Sequence, residues 1–294
     1  MRIAIFGKNF NDDFHEVIYK IFEKLNQNKV EIIIFEKFLK FIEKKLFFSP
    51  RINSVFKTTD ELVDIDLVMS IGGDGTFLEC VSFLKKKIFP IIGINSGRLG
   101  FLASVSKNQI DELFEDIAKG SYQIEERSIL EVDVKTTDGK LNSFPYALNE
   151  LTLQKKDTTS MLNIDVYIND KFLNKYWADG LIIATPTGST AYSLSAGGPI
   201  VFPQTQNFVI TPLAPHTLTV RPLIVDDSSV IKMIVNGRGN NFIVALDSRT
   251  FYVDFMTEIT LKKADFKVRI AKTSQDDFFK TLRQKLMWGL DIRN

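Results

Sequence analysis

Length, composition and charge limit what this chain can be. Its 294 residues are enough for two domains, and 45% hydrophobic with 25% charged residues is an ordinary globular composition. The 37 basic and 36 acidic side chains give a formal charge of +1, without the basic excess typical of nucleic-acid binders. Cys80 is the only cysteine, which excludes an internal disulfide and a cysteine-rich zinc site.

The sequence has neither the pattern of a secretion signal nor that of a membrane helix. The apolar run Met1–Gly7 is short and is followed at once by Lys8 and Asp12, unlike a signal peptide. No stretch reaches about 18 uncharged apolar residues. We therefore expect a cytoplasmic protein that binds neither membranes nor nucleic acid.

The first 120 residues alternate between strand and helix patterns. Apolar runs predict strands at 2–6, 30–35, 66–70 and 90–94. Helical spacing of apolar residues predicts helices at 14–25, 38–46, 76–84 and 107–119. This alternation predicts a parallel sheet covered by helices, with ligands at the carboxyl ends of the strands.

After Gly120 the pattern changes to short strand-like runs separated by turn residues. Strands are predicted at 131–136, 163–168, 230–235, 242–246, 251–255 and 266–270. Antiparallel hairpin turns are predicted at Asp138-Gly139, Asn169-Asp170 and Asn236-Gly237. The predicted domains are an α/β domain at 1–122, a β-rich, sandwich-like domain at 123–272, and at 273–294 a C-terminal helix (275–288) that can pack back on the first domain.

A glycine loop at 72–76, Gly-Gly-Asp-Gly-Thr, joins a predicted strand to a predicted helix. Gly72, Gly73 and Gly75 lack a Cβ, so their N–H groups can approach a phosphate, and a helix N-terminus attracts anions. Thr76 can cap the helix or bond a phosphate oxygen. We call 72–76 the phosphate cradle. It is neither a Walker A loop, which needs a lysine after the last glycine, nor the spaced glycine motif of dinucleotide-binding folds.

Asp74 puts a carboxylate inside this predicted cradle, where it would repel the anion that its neighbours attract. That makes chemical sense if Asp74 accepts a proton from an attacking hydroxyl, or if it binds Mg²⁺ that bridges phosphates. The alternative is a tight turn in which Asp74 only caps a helix. The loop predicts phosphoryl transfer to a hydroxyl.

Two further segments carry groups suited to a nucleotide. The loop at 95–101 follows a predicted strand, which puts it on the same sheet edge as Asp74. Phe101 can offer its ring to a base, although a phenylalanine in such a loop more commonly belongs to the core. Asn149 and Glu150 interrupt an apolar run and are costly to bury without partners. They can grip ribose hydroxyls or an adenine edge; the alternative is a β-turn or an edge-strand pair.

The segment 177–199 is the densest in polar and small residues. A strand predicted at 181–184 ends in Thr-Pro-Thr-Gly, and a short helix is predicted at 189–196. Small side chains let a ligand approach the backbone, and Thr190, Ser193 and Ser195 supply hydroxyl groups. Tyr192 can stack on a ligand or donate a hydrogen bond. A serine nucleophile is a rival interpretation, but neither histidine of the chain has a local motif that would pair it with a serine.

Together these motifs resemble the NAD kinase family. The resemblance rests on 72–76, Asn149-Glu150 and 179–199, with further matches at 95–101 and 211–223. The glycine loop alone is shared with diacylglycerol and sphingosine kinases and is similar to that of 6-phosphofructokinases, whereas Thr-Pro-Thr-Gly-Ser-Thr-Ala-Tyr-Ser is much more specific. The resemblance implies an α/β domain, a β-sandwich-like domain and a homodimer or homotetramer.

The resemblance also implies a reaction: the γ-phosphoryl of ATP passes, with a divalent metal such as Mg²⁺, to the 2′-hydroxyl of the adenosine ribose of NAD. Asp74 is then the proton acceptor, and the phosphate and ATP ligands are Gly72, Gly73, Gly75 and Thr76. The residues implied in NAD binding are Asp74, Gly75, Phe101, Asn149, Glu150, Trp177, Asp179, Thr190, Ala191, Tyr192, Ser193, Leu194, Ser195 and Ala214. No set of protein ligands for the metal is implied.

Trp177 departs from the family pattern, because many relatives carry a basic residue two positions before Asp179-Gly180. That position is implicated in the choice between NAD and NADH. Two other functions remain open from the sequence: a diacylglycerol-type lipid kinase, which needs an apolar acceptor channel, and a dinucleotide sensor without catalysis.

Overall fold

The computed structural model describes residues 1–134, 140–156 and 160–288. The chain divides into two compact units, one from Met1–Glu125 with Arg269–Asn294 and the other from Glu126–Val268. The first has α/β architecture and the second is β-rich, which confirms the predicted fold class. The domain bounds at 1–122, 123–272 and 273–294 stay predictions.

The α-helices are those that the sequence predicts, with shifted ends. The α-helices of the described residues are α1 (His15–Gln27), α2 (Glu36–Leu46), α3 (Asp74–Leu84), α4 (Ile110–Lys119), α5 (Tyr192–Ser195) and α6 (Phe278–Leu286). Short 3₁₀ helices lie at Asp12–Phe14, Thr59–Glu61, Lys107–Gln109, Lys140–Ser143 and Thr187–Thr190. Within the described parts of the chain, no helix is both long and apolar enough to cross a membrane.

The strands form one largely parallel and two antiparallel sheets. In chain order they are β1 (Arg2–Gly7), β2 (Glu31–Phe35), β3 (Ser54–Phe56), β4 (Leu67–Gly72), β5 (Ile91–Asn95), β6 (Gln123–Arg127), β7 (Leu130–Asp133), β8 (Tyr146–Ala147), β9 (Glu150–Gln154), β10 (Leu162–Ile168), β11 (Lys171–Ala178), β12 (Gly180–Ala184), β13 (Asn207–Leu213), β14 (Leu223–Asp226), β15 (Ile231–Asn236), β16 (Asn241–Leu246), β17 (Arg249–Asp254), β18 (Glu258–Lys263) and β19 (Val268–Lys272).

The first unit is built on a sheet with the strand order β3-β2-β1-β4-β5-β19-β6. Strands β3, β2, β1, β4, β5 and β19 pair in parallel. Helices α1, α2 and α4 share one core with alternate strand residues such as Ile3 and Ile5, while α3 packs against β1, β4 and β5. Buried runs such as β4 are typical of parallel strands covered on both faces.

The register of β4 and β5 positions the glycine loop. Gly72 pairs with Asn95, so the loops that follow both strands leave the same edge of the sheet. The N–H of Ser96 donates to the Gly72 carbonyl at 3.1 Å, which ties the two loops together. This confirms that the 95–101 loop lies at the same edge of the sheet as Asp74.

The strand predicted at 266–270 has a different place from the one expected. It is β19, at Val268–Lys272, and it pairs in parallel with β5, with Ile270 opposite Ile91. The expectation that this strand belongs to an antiparallel hairpin was wrong. Its partner β5 lies far earlier in the chain, and a parallel pair of this kind has no short turn that the sequence could reveal.

The second unit is a sandwich of two antiparallel sheets. Their strand orders are β11-β10-β15-β18-β7-β8 and β14-β13-β12-β9-β16-β17. Residues such as Ile164 and Val166 of the first sheet share one core with Leu151, Leu153 and Phe242 of the second. The alternating burial of β10 and β16 is what a half-buried strand produces.

The three predicted hairpin turns have three different outcomes. Asn169 and Asp170 both have positive φ, 49° and 61°, and join the antiparallel pair β10 and β11, as predicted. Asn236 is the last residue of β15 and Gly237 follows it, but β16 lies in the other sheet, so this turn crosses between sheets instead of closing a hairpin. Asp138-Gly139 lies outside the described residues, as do residues 135–136 of the strand predicted at 131–136.

Core packing predicts a clear contrast between two phenylalanines of the second unit. Phe242 is fully buried, whereas the side chain of Phe172 is 58% exposed beside Tyr167. We expect Phe242→Ala to lower the free energy of unfolding by about 3–5 kcal/mol because it leaves a cavity. Phe172→Ala should cost about 1 kcal/mol or less. Urea denaturation followed by circular dichroism checks this, and equal losses would contradict the core assignment.

Candidate active site

The phosphate cradle lies where β4 ends and α3 begins. Gly73 is the N-cap of α3 and has no side chain to cap it, and Asp74 is the first helical residue. Thr76 therefore lies inside the first turn, so its predicted role as helix cap was wrong. Gly72 has φ +156° and a Cβ there would lie 2.3 Å from Thr76 Oγ1, whereas a Cβ on Gly73 or Gly75 would meet no atom within 4 Å. The space beside those two glycines is open, and the first N–H groups of the helix have no partner within it.

The carboxylate of Asp74 is held by three consecutive backbone N–H groups from the neighbouring loop. Phe101 donates to Oδ2 at 2.9 Å, and Leu102 and Ala103 donate to Oδ1 at 3.0 and 2.9 Å. These bonds link two loops 27 to 29 residues apart along the chain. They fix the orientation of the carboxylate, because donors to both oxygens leave it little freedom to rotate. The alternative in which Asp74 only caps its own helix does not account for this arrangement.

Gly100 allows the 95–101 loop to approach the Asp74 carboxylate closely. A Cβ on Gly100 would lie 1.9 Å from Asp74 Oδ1, a distance that no real side chain could accept. The buried side chain of Asn95 organises the same loop: its Nδ2 donates to the Arg98 carbonyl at 2.5 Å and its Oδ1 accepts from the Gly97 N–H at 2.7 Å. Gly100 and Asn95 thus shape the support for Asp74.

The C-terminal helix brings a cation that sequence reasoning missed. Lys285 Nζ, on α6, lies 3.6 Å from Asp74 Oδ2 and 4.7 Å from the centroid of the Phe101 ring. The Phe101 ring, predicted to meet a base, also lies 6.1 Å from that of Phe278 on the same helix. The only sequence signal for this contact was the prediction that a C-terminal helix could pack back on the first domain.

In the second unit the structure brings two predicted segments together. Glu150 begins β9, which pairs with β12 and β16 and is therefore an inner strand, so the edge-strand alternative was wrong. The Thr185 N–H donates to the Asn149 carbonyl at 2.8 Å, and the Tyr192 N–H donates to the Glu150 carboxylate. A Cβ on Gly188 would lie 2.1 Å from the Asn149 carbonyl oxygen, which accounts for a glycine there.

Asp247 is a second residue that the sequence did not reveal. Its carboxylate accepts the N–H groups of Leu148, Asn149 and Glu150, at 3.0, 2.8 and 3.3 Å. Asp247 has φ +51° in the turn between β16 and β17, and a turn aspartate in a sequence is ordinarily taken as solvated. Its role is to fix the backbone that carries Asn149 and Glu150.

The carboxyl group of Glu150 has an unusual electrostatic environment. Burial, together with the nearby charge of Asp247, raises the pKa of Glu150 to about 8, against the opposing effect of the Tyr192 N–H. Its Oε2 is buried and has no hydrogen-bond partner. A buried polar atom without a partner costs free energy, and a ligand that bonds it would recover that cost.

The hydroxyl groups of 185–195 do not all face outward. Ser193 is fully buried, and its hydroxyl forms a hydrogen bond with that of Thr211 at 2.9 Å. Its side chain therefore has a partner inside the protein and does not face a ligand. The Thr190 hydroxyl donates to the Thr187 carbonyl at 3.2 Å. Tyr192 and Ser195 are exposed, while Ala191 and Leu194 are half-buried.

The remaining predicted NAD ligands lie at the other end of β12. Asp179 pairs with Lys155 at 2.6 Å, and its N–H donates to the Leu213 carbonyl next to Ala214, which has φ +41°. Trp177, on the edge strand β11, is 52% exposed and lines a cavity of about 350 Å³. Glu150 pairs with Ala184 at the far end of β12. At about 3.4 Å per strand residue, the backbone of Asp179 therefore lies about 17 Å from that of Glu150.

In the part of the chain that the structure describes, the acidic residues of the site do not form a metal-binding cluster by themselves. Within 1–134, 140–156 and 160–288, no group of three or more His, Cys, Asp or Glu side chains is arranged to hold a metal ion. Mg²⁺ commonly binds through one or two carboxylates together with substrate phosphates. Asp74, which lies beside the open cradle, is suited to supply one such carboxylate.

Known proteins resemble the chain over its full length. An NAD kinase of Flavobacterium psychrophilum is 41% identical over 294 residues and covers 100% of both chains. The crystal structure of yeast NADH kinase complexed with NADH matches with a TM-score of 0.86 and 26% identity, covering 100% of this chain and 89% of that one. An NAD kinase from Archaeoglobus fulgidus in complex with ATP matches with a TM-score of 0.75 and 28% identity, covering 98% and 99%.

Family models assign both parts of the chain. The N-terminal domain of ATP-NAD kinase matches residues 3–122, and the C-terminal domain of ATP-NAD kinase matches residues 148–273. These matches and the full-length relatives leave no ground for the lipid-kinase alternative. The chain belongs to the ATP-NAD kinase family.

Proposed function

We propose that Asp74 is the proton acceptor when the γ-phosphoryl of ATP passes to the 2′-hydroxyl of the adenosine ribose of NAD. In this reaction the ribose oxygen forms a bond to the γ-phosphorus, and the bond from that phosphorus to the β–γ bridging oxygen breaks. ADP leaves with the electron pair, and the hydroxyl proton passes to the Asp74 carboxylate. The product is NADP.

One observation carries this proposal: a carboxylate held by the N–H groups of Phe101, Leu102 and Ala103 lies beside an open glycine turn. Phosphoryl transfer depends mostly on alignment and charge neutralisation, with one group orienting the nucleophile. Gly72, Gly73, Gly75 and Thr76 supply the backbone donors of a helix N-terminus for the phosphates. Asp74 supplies the single fixed acceptor.

The second unit supplies groups suited to hold NAD. The unpartnered Glu150 Oε2 and the adjacent Asn149 amide support a site for the adenosine side, and Tyr192 and Ser195 present exposed polar groups on the same segment. Asp179, Trp177 and Ala214, at the other end of β12, support contacts to the nicotinamide side. Thr190, Ala191 and Leu194 would complete the lining, and Ser193 would support it through Thr211.

We further propose a divalent metal, such as Mg²⁺, that arrives with ATP and is held mainly by its phosphates. When bound, the metal would neutralise phosphate charge during transfer. We also propose a cytoplasmic homodimer or homotetramer in which partner subunits help to complete the site.

The role of Asp74 is tested by replacing only its ionisable oxygen. Asp74→Asn should lower the rate of NADP formation from ATP and NAD about 10³-fold, because a general base is lost while the shape is kept. NAD affinity, measured by calorimetry, should stay nearly unchanged. If Asp74 instead held the metal, the variant would recover activity at higher Mg²⁺. An unchanged rate would mean that Asp74 is not the base.

The support for Asp74 is tested with two glycines of one loop. Gly100→Ala should lower the rate about 100-fold, because its Cβ would displace Oδ1 of Asp74 and small displacements of a reacting group are costly. Gly97→Ala is the matched control, since a Cβ there meets no atom within 4 Å, and should stay within about twofold of the wild type. Equal activities in the same NADP assay would contradict the role given to this loop.

The ionisation of Glu150 predicts a pH-dependent stability. The pKa is about 8 in the folded protein against an ordinary 4.5, so the folded state keeps a proton that the unfolded chain loses. Stability is therefore lost as pH rises from about 4.5 to 8. Glu150→Gln removes this titration, so its Tm relative to the wild type should rise by about 5 °C between pH 5 and 8. A Tm difference independent of pH would show that Glu150 is already ionised in the fold.

A further inference from the structure

We propose that Lys285, on the C-terminal helix α6, is a positioning residue for Asp74 that neutralises the carboxylate so that ATP phosphates can enter the cradle. The inference rests on the proposed function, in which the phosphates bind beside Asp74. It addresses a conflict present in the sequence itself, namely a negative charge in the middle of an anion site.

The contacts of Lys285 converge on the group that also orients Asp74. Its Nζ lies 3.6 Å from Oδ2 of Asp74, the oxygen that accepts the Phe101 N–H at 2.9 Å. The same Nζ lies 4.7 Å from the centroid of the Phe101 ring, within range of a cation–π contact. Lys285 thus contacts both the carboxylate and the residue that holds it.

The helix that carries Lys285 is anchored rather than loosely attached. Asp277 caps α6 by accepting the N–H groups of Phe279 and Lys280 at 2.9 and 3.2 Å, and Leu282 is only 4% exposed. Just before the helix, Lys272 Nζ bonds Asp276 at 2.9 Å and Ser104 at 3.0 Å. Ser104 directly follows the three residues whose N–H groups hold Asp74, so the helix and that loop are fixed to each other.

Stability alone does not explain the pair. Both side chains are about one-third exposed, 34% for Lys285 and 30% for Asp74, and such pairs contribute little to folding. In a P-loop, a lysine directly after the last glycine binds the nucleotide phosphates. The phosphate cradle of this chain has no lysine at that position. The structure places a cation at this point from a helix more than 200 residues later in the chain.

Neutralisation of Asp74 makes a different prediction from direct binding of phosphate by Lys285. If Lys285 acts through Asp74, its removal matters only while the carboxylate is charged. If it binds phosphate itself, its removal matters whatever residue stands at 74. A double-mutant cycle separates these cases.

The test measures ATP affinity with Mg²⁺ by calorimetry on the full chain, without NAD, so no turnover occurs. Lys285→Gln should weaken ATP binding about tenfold and leave NAD affinity within twofold. In the Asp74→Asn background the same substitution should change ATP affinity by less than twofold. Lys285→Arg should retain most of the affinity. Arg283→Gln, which removes one charge from an exposed position of the same helix, should match the wild type.

Equal losses in both backgrounds would overturn the positioning role, because Lys285 would then bind phosphate directly. No loss in either background would reduce the contact to a surface ion pair and would also overturn it. The proposed base is judged separately by the rate of NADP formation of Asp74→Asn alone. That variant could keep its activity and disprove the base while the coupling in ATP affinity still holds.

Discussion

Three backbone N–H groups on one carboxylate are the constraint on which the rest of the first unit's site depends. They fix Asp74 relative to β5 and its loop, although Asp74 itself follows β4. The parallel register of those strands brings the two loops to one edge, and Gly100 removes the side chain that would keep them apart. A rigid acceptor next to open space is what phosphoryl transfer requires, because reorganisation during the reaction is costly.

The two carboxyl groups proposed to act on NAD have opposite environments. Asp74 is partly exposed and has donors on both oxygens. Glu150 is only 7% exposed, its Oε2 has no partner, and its pKa is raised to about 8 by burial and by Asp247. Asp74 therefore suits a fixed acceptor, whereas Glu150 suits a group that gains its partner from a ligand. Environment, not residue type, separates their proposed roles.

The sequence predicted what is local and missed what is long-range. Helical and strand periodicity located the main helices and most strands, and the glycine loop and the segment at 177–199 indicated the family. Nothing local marked Lys285, Gly100 or Asp247, because their partners Asp74 and the 148–150 backbone lie tens to hundreds of residues away. The hydroxyl of Ser193 faces inward because Thr211 of a neighbouring strand lies opposite it, which periodicity cannot show.

The first unit is interrupted in sequence by the whole of the second, and this has a consequence for how the protein is made. Strand β19 and helix α6 come from the last described residues, after 126–268 have been synthesised. Until they emerge from the ribosome, the parallel sheet lacks a strand between β5 and β6 and Asp74 lacks its cation. Assembly of the cradle with its cation therefore waits for synthesis of the second unit, and a chain cut before residue 268 would carry the glycine turn without its supporting helix.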